Sequence, residues 1–187
     1  FRMGDFYETF YEDAQTCSRV LGLTLTSRSK GANPIPLAGL PFHAVDGYMK
    51  KMLQAGYKVA VCEQVEDAKK AKGVVKRDVV RIVTPGTLTD DMLLYAKEDN
   101  FLCAVGLTPK SAAISWVDIS TGHFFAQAID EKDVLDELLR LGPKECLLAD
   151  GRGELFEAET KKLAKDIAQL TGAVITERPG WYFDHYT

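Results

Sequence analysis

The stretch Thr84-Pro85-Gly86-Thr87 constrains this chain most, because it separates one alternating pattern from another. Pro-Gly is a strong turn signal. On each side of it, short apolar runs of strand type alternate with segments of helical spacing. A chain of 187 residues suits one large domain or two small ones, and the break favours two. The expected fold class is therefore α/β. The first module, over 1–87, should be a mixed β-sheet with flanking helices; 88–97 should link it to a second α/β module over 98–187.

The opening Phe1 to Tyr11 sets Phe6, Glu8 and Phe10 against Tyr7, Thr9 and Tyr11, and period two predicts a strand. Glu12-Asp13 opens a helix whose apolar face is Ala14, Cys17, Val20 and Leu21, with Gly22 as its stop. Leu23 to Thr26 reads as a strand, Arg28 to Asn33 as a polar loop, His43 to Ala55 as a second helix, Tyr57 to Glu63 as a buried strand and Val74 to Val83 as another. Residues 88–98 mix acids with Leu and Met and fit a short linking helix. Beyond them Phe101 to Leu107, Ala112 to Asp118 and His123 to Ala128 read as consecutive strands. A helix over 131–141, a strand over Cys146 to Ala149, a helix over 154–171 and a strand from Val174 complete the pattern. The chain starts inside a structural element and its last residues do not finish a domain, so it reads as a fragment with a truncated second module.

Charge separates the halves. Residues 1–97 carry 14 Lys and Arg against 11 Asp and Glu, and residues 98–187 carry 9 against 16, which makes +3 and −7 of the net −4. Such asymmetry points to modules with different partners, and if either meets nucleic acid it is the first; a balance of +3 does not by itself establish that. The four cysteines, Cys17, Cys62, Cys103 and Cys146, lie roughly forty residues apart with no close pair, which speaks against zinc and redox motifs. They read as reduced core residues, and a cytoplasmic location follows. His43, His123 and His185 form no ligand set, and no apolar run approaches the roughly 18 residues of a membrane span.

Gly4-Asp5-Phe6-Tyr7-Glu8 carries the chemistry. On a strand Phe6 and Glu8 project together, and Gly4 lets another backbone approach. A ring can wedge into a base step and kink the duplex, at an unstacking cost of about a few kcal/mol. A mismatched step yields more easily, so deformability is what gets read. The neighbouring carboxylate can accept a hydrogen bond from the displaced base. Alone the pair is weak, since an aromatic in an amphipathic strand is usually core.

The stretch FRMGDFYETFYEDA (Phe1 to Ala14) resembles the signature of the MutS mismatch-recognition domain, whose Phe-x-Glu element matches Phe6 and Glu8. LTLTSR (Leu23 to Arg28), PIPLAGLPFHA (Pro34 to Ala44), VAVCEQVED (Val59 to Asp67) and VVRIVTPGT (Val79 to Thr87) continue the resemblance. ISWVDISTGHFF (Ile114 to Phe125) resembles the family's connector domain, of ribonuclease-H-like fold. The resemblance implies that Phe6 is a stacking wedge and Glu8 its hydrogen-bonding partner, both entering by the minor groove. Implied partners are double-stranded DNA with mismatches or small loops, downstream mismatch-repair factors, and a second copy in a homodimer. ATP and Mg are implied for the full-length protein, a DNA-dependent ATPase, with no cofactor, metal or enzymatic activity in this fragment. Arg28 and Lys30, on the loop after the second strand, are candidates for DNA-backbone contacts. The Lys69-Lys70-Lys72 cluster reads as a solvated loop.

Two further motifs fail on their chemistry. Gly106 to Ser111 faintly resembles a phosphate-binding loop, but Ala104 and Pro109 stand where glycines are required. Asp118, in a strand before Ser120-Thr121-Gly122, offers a rival reading as the metal aspartate of a structure-specific nuclease. Two-metal nucleases need several converging carboxylates, and no other acid sits at a comparable strand centre. Asp118 is expected to be a structural turn residue.

Overall fold

The computed structural model describes residues 1–29, 33–67, 71, 73–88, 99–108, 111–150 and 154–183, the side chains of 154–157 excepted. Packing divides the chain into two compact units, Phe1–Thr84 and Pro85–Thr187. Both mix strands with helices, as the α/β expectation requires. The linking helix expected near 88–98 falls almost wholly outside the described residues.

The first unit begins with a hairpin rather than one strand. β1 (Arg2–Met3) pairs antiparallel with β2 (Phe6–Phe10), setting Arg2 opposite Tyr7 and Met3 opposite Phe6. Gly4 makes the reversal possible with a φ of 63°, since two-residue hairpin turns need a left-handed residue at the first central position. Alternation over Phe1 to Tyr11 does not register this turn, because the two-residue β1 is too short to show the change of phase across it. β2 ends where Tyr11 takes a φ of 54° and the chain enters α1 (Tyr11–Leu21). Glu12 and Asp13 lie in its first turn, where they complement the helix dipole. α1 buries Ala14, Cys17 and Leu21 and stops at Gly22.

β3 is only Thr26–Ser27 and shares just Thr26 with the strand expected over Leu23 to Thr26. The Leu23 carbonyl accepts from the Ser18 hydroxyl at 2.7 Å, and Leu23 packs on the core. β4 (Pro36–Pro41) lies between β2 and β3, antiparallel to both, so the order is β1-β2-β4-β3. The mixed character expected of this sheet is thus one of direction alone. β2 and β3 run parallel, as a helix crossover through α1 requires, but β4 separates them and every hydrogen-bonded pair is antiparallel. A 3-10 turn (Phe42–Ala44) precedes α2 (Val45–Gln54). β5 (Val59–Gln64) and β6 (Arg77–Val83) then form a separate ribbon with a bulge at Val61/Cys62. β5 is less buried than its apolar run implies, because β6, its strand partner among the described residues, is itself largely exposed. The core gathers Ala14, Cys17, Leu21, Ala38, Leu40 and Met52 between α1, α2 and one face of the sheet.

The second unit opens with a 3-10 turn at Pro85–Thr87, whose Pro85 and Gly86 are buried. β7 (Phe101–Thr108), β8 (Ser111–Asp118) and β9 (His123–Ile129) form an antiparallel meander. α3 (Val134–Leu141) leads to β10 (Glu145–Ala149), and α4 (Glu154–Thr171) to β11 (Val174–Arg178), both strands parallel to β7 in direction. The order β11-β10-β7-β8-β9 agrees with the ribonuclease-H-like expectation. Ile114, Leu138, Leu148 and Ile167 fill its core.

All four cysteines are free and buried. Cys103 and Cys146 lie opposite each other on β7 and β10. Burial pushes the Cys103 thiol up to about 12, and burial with Cys103 and Glu145 nearby does the same to Cys146. The thiolate is the reactive form, so at pH 8 on the order of one molecule in ten thousand carries it at each site. Alkylation of the native chain at pH 8, read by peptide mass spectrometry, is expected to spare both until denaturant is added. Rapid labelling of Cys103 in the native protein would contradict the packing.

Candidate nucleic-acid interface

The outer face of the four-stranded sheet is fixed by what its inner face buries. Ala38 and Leu40 of β4 point into the core, so alternation turns Leu37, Gly39 and Pro41 outward. The register sets Phe6 opposite Pro41, Glu8 opposite Gly39 and Phe10 opposite Leu37. Phe6, Glu8 and Phe10 therefore share the face turned away from α1 and α2. Tyr7, on the opposite side of β2, packs on the core and donates its hydroxyl to the Glu63 carboxylate. Burial first, and then the Glu63 bond, push the Tyr7 phenol above its ordinary range.

Phe6 is 48% exposed, although it heads a strand whose neighbours pack. Beneath it lies Gly39: a Cβ there would stand 3.9 Å from the Phe6 ring and 3.7 Å from Glu8 Cγ. The bare backbone leaves a shallow floor between the two side chains. Glu8 is held at both ends. Its amide donates to the Phe1 carbonyl at 2.9 Å, and its Oε2 accepts from Arg28 Nη1 at 2.9 Å. Arg28 follows β3, its amide bonded to the Ile35 carbonyl at 3.2 Å. Its guanidinium also lies 5.9 Å from the centre of the Phe10 ring.

Phe6, Glu8 and Arg28 thus come together on one face. Arg28 spends its charge on Glu8, which its sequence neighbourhood does not reveal. Lys30 and the Lys69-Lys70-Lys72 cluster lie outside the described residues. Gly4 serves the turn, and no backbone among the described residues approaches it, since a Cβ there would meet nothing within 4 Å. Sequence reasoning passed over Gly39, whose importance appears only with the register. It also passed over Arg2, whose guanidinium stacks 3.7 Å from the Phe42 ring at the turn end of the sheet. Phe42 is itself 40% exposed.

In the second unit Asp118 ends β8 and braces the turn that follows it. Its Oδ1 accepts from the Ser120 amide at 2.9 Å and the Ser120 hydroxyl at 2.6 Å, and its carbonyl accepts from the Gly122 amide at 2.8 Å. Among the described residues no three His, Cys, Asp or Glu side chains converge as a metal site. Gly106 and Ser111 belong to two antiparallel strands, with Thr108 opposite Ser111. A phosphate-binding loop instead feeds a helix N-terminus, so this hairpin does not fit one. No helix among the described residues is long and apolar enough to cross a membrane.

Fold and order place the chain among tandem α/β proteins, and sequence comparison makes that specific. The family model described as MutS domain I matches residues 1–92, and that described as MutS domain II matches 100–185. A protein named DNA mismatch repair protein MutS from Syntrophomonas wolfei is 51% identical over 160 residues, covering 83% of this chain and 18% of that protein. One of the same name from Methanothrix thermoacetophila is 52% identical over 153 residues, covering 81% and 18%. A third, from Solibacter usitatus, is 42% identical over 186 residues, covering 99% and 20%. The chain belongs to the MutS family of DNA mismatch-repair proteins. It spans about a fifth of the length of these relatives.

Proposed function

We propose that this chain reads mismatched or looped base pairs in double-stranded DNA through Phe6 and Glu8, inserted at the minor groove, as part of a longer mismatch-repair protein. One observation carries the reading: a half-exposed ring and a carboxylate stand side by side on an outer sheet face with a glycine floor between them. Phe6 supplies the wedge. Unstacking a base step costs about a few kcal/mol, and a mismatched step, already weakened, costs less. Glu8 then accepts a hydrogen bond from the displaced base. Neither residue reads sequence, which suits a protein that must find errors anywhere.

The first domain, over 1–87, does the reading in this proposal; 88–97 links it to the connector over 98–187. ATP and Mg, hydrolysis, the homodimer and the recruitment of downstream repair factors belong to the whole protein, and this part contributes recognition without chemistry. The cytoplasm is the proposed location, where buried thiols such as Cys103 stay reduced. The nuclease reading loses its main residue, because Asp118 is committed to its turn.

Glu8 tests the proposal through two opposing effects. Its bond to the displaced base favours the mismatch complex by roughly 1.5–3 kcal/mol, the range for a charged group. Its negative charge, brought near phosphates, penalises every duplex. In the full-length protein Glu8→Ala is therefore expected to lower mismatch preference mainly by tightening binding to matched DNA. The effect should shrink as salt rises and screening shortens. Titrations on matched and G·T-containing duplexes at two salt concentrations measure it. Unchanged matched-duplex affinity at low salt would remove the repulsive half of the account.

A further inference from the structure

We infer that Arg28 is a positioning residue for Glu8 rather than a contact for the DNA backbone; the inference rests on the proposed role of Glu8. Three observations support it. The guanidinium holds Glu8 Oε2 at 2.9 Å, while among the described residues Oε1 accepts no hydrogen bond. The pair therefore pins one carboxylate oxygen and leaves the other for a base. The Arg28 backbone is tied to Ile35 at 3.2 Å, and its guanidinium lies 5.9 Å from the centre of the Phe10 ring, within the reach of a cation–π contact. Reaching a phosphate by swinging away would cost Arg28 both the carboxylate and the ring, so its resting geometry serves Glu8. Finally, the Arg28 and Glu8 side chains are 51% and 20% exposed, so the carboxylate is the more enclosed partner and the arginine covers it.

Two consequences follow from the charges. While paired, Arg28 offsets the repulsion that Glu8 exerts on phosphates, so the pair approaches DNA as a nearly neutral unit. When Glu8 is removed, Arg28 becomes a free cation beside the duplex. The tighter matched-DNA binding expected of Glu8→Ala is then partly due to Arg28, and the salt dependence should steepen by about one counterion. A surface ion pair of this kind adds little to folding, which keeps substitutions at Arg28 usable as probes.

A double-mutant cycle in the full-length protein tests the inference, reading the ratio of mismatched to matched affinity and the salt slope. Arg28→Ala is expected to lower the ratio roughly fivefold or more, the scale of coupled neighbours. Arg28→Lys should fall between, because a point charge replaces a planar fork. In a Glu8→Ala background, Arg28→Ala should leave the ratio unchanged and weaken both duplexes equally, cancelling the steeper salt slope. Unfolding midpoints for each variant confirm that the sheet persists. An equal loss on both duplexes with Glu8 intact, leaving the ratio unmoved, would mean that Arg28 does not act through Glu8 and would overturn the inference. So would a fall in the ratio that survives Glu8→Ala. If Glu8→Ala by itself leaves the ratio untouched, the reading of Glu8 fails and takes the inference with it.

Discussion

In the full-length protein Phe6→Ala is expected to abolish most of the preference for mismatched DNA while leaving the fold nearly as stable. Base–aromatic stacking is worth about 1–3 kcal/mol, so the mismatch complex should weaken roughly 5- to 150-fold. Matched duplex, which resists the wedge, should lose far less. The ring is 48% exposed, and a fully buried side chain of this class gains about 1.5–3 kcal/mol. Half of that, at most about 1.5 kcal/mol, bounds the expected loss of stability. A core phenylalanine would cost about 3–5 kcal/mol instead. Urea unfolding separates the two ranges, and a loss in the upper one would mean that Phe6 is packing.

Gly86→Ala is expected to have the largest effect on stability. A Cβ at Gly86 would stand 2.7 Å from Glu145 Cβ and 3.1 Å from both Glu145 Oε2 and Leu102 Cδ1. None of the first contact can be relieved by a flexible tip, since Glu145 is 1% exposed and fixed on β10. The carboxylate is also the hub of a buried network: Oε2 accepts from the Gly86 amide at 3.1 Å and Oε1 from the Thr176 hydroxyl at 2.5 Å. Overpacking alone costs about 1–3 kcal/mol. Disturbing a bond to a buried carboxylate adds roughly 1.5–3 kcal/mol, and a total of about 2.5–6 kcal/mol follows. Gly106→Ala is the control, because a Cβ there meets nothing within 4 Å. Equal unfolding midpoints for the two variants would contradict the described packing of Pro85–Thr87.

These two residues also show what was legible in the sequence. The second unit was read almost to the residue: α4 spans Glu154–Thr171, as its spacing and the following Gly172 require, and the three meander strands fall where alternation put them. Local periodicity suffices when each element is long and its ends are marked. The Gly4 reversal was invisible because β1 is only two residues long, too short for the change of phase across the turn to show. β3 lies later than its composition suggests, because composition cannot tell which residues find a ladder partner. Pro85-Gly86 was legible as a turn, but not as a buried one closed over Glu145. The same limit applies to the candidate site. Phe6 and Glu8 are two apart and readable from a strand pattern, and resemblance singled them out. Arg28 is paired with Glu8 only because β4 folds between β2 and β3, a topology that spacing along the chain does not encode.

The central claim is that the Phe6 side chain touches the mispaired base. The most direct test places a photoreactive phenylalanine analogue at position 6 of the full-length protein and irradiates its complexes with G·T-containing and fully matched duplexes. Covalent adducts mapped by mass spectrometry should concentrate on the mispaired nucleotide or its stacking neighbour and be scarce on matched DNA. Adducts spread evenly along both duplexes, or confined to sugars and phosphates away from the mispair, would contradict the account.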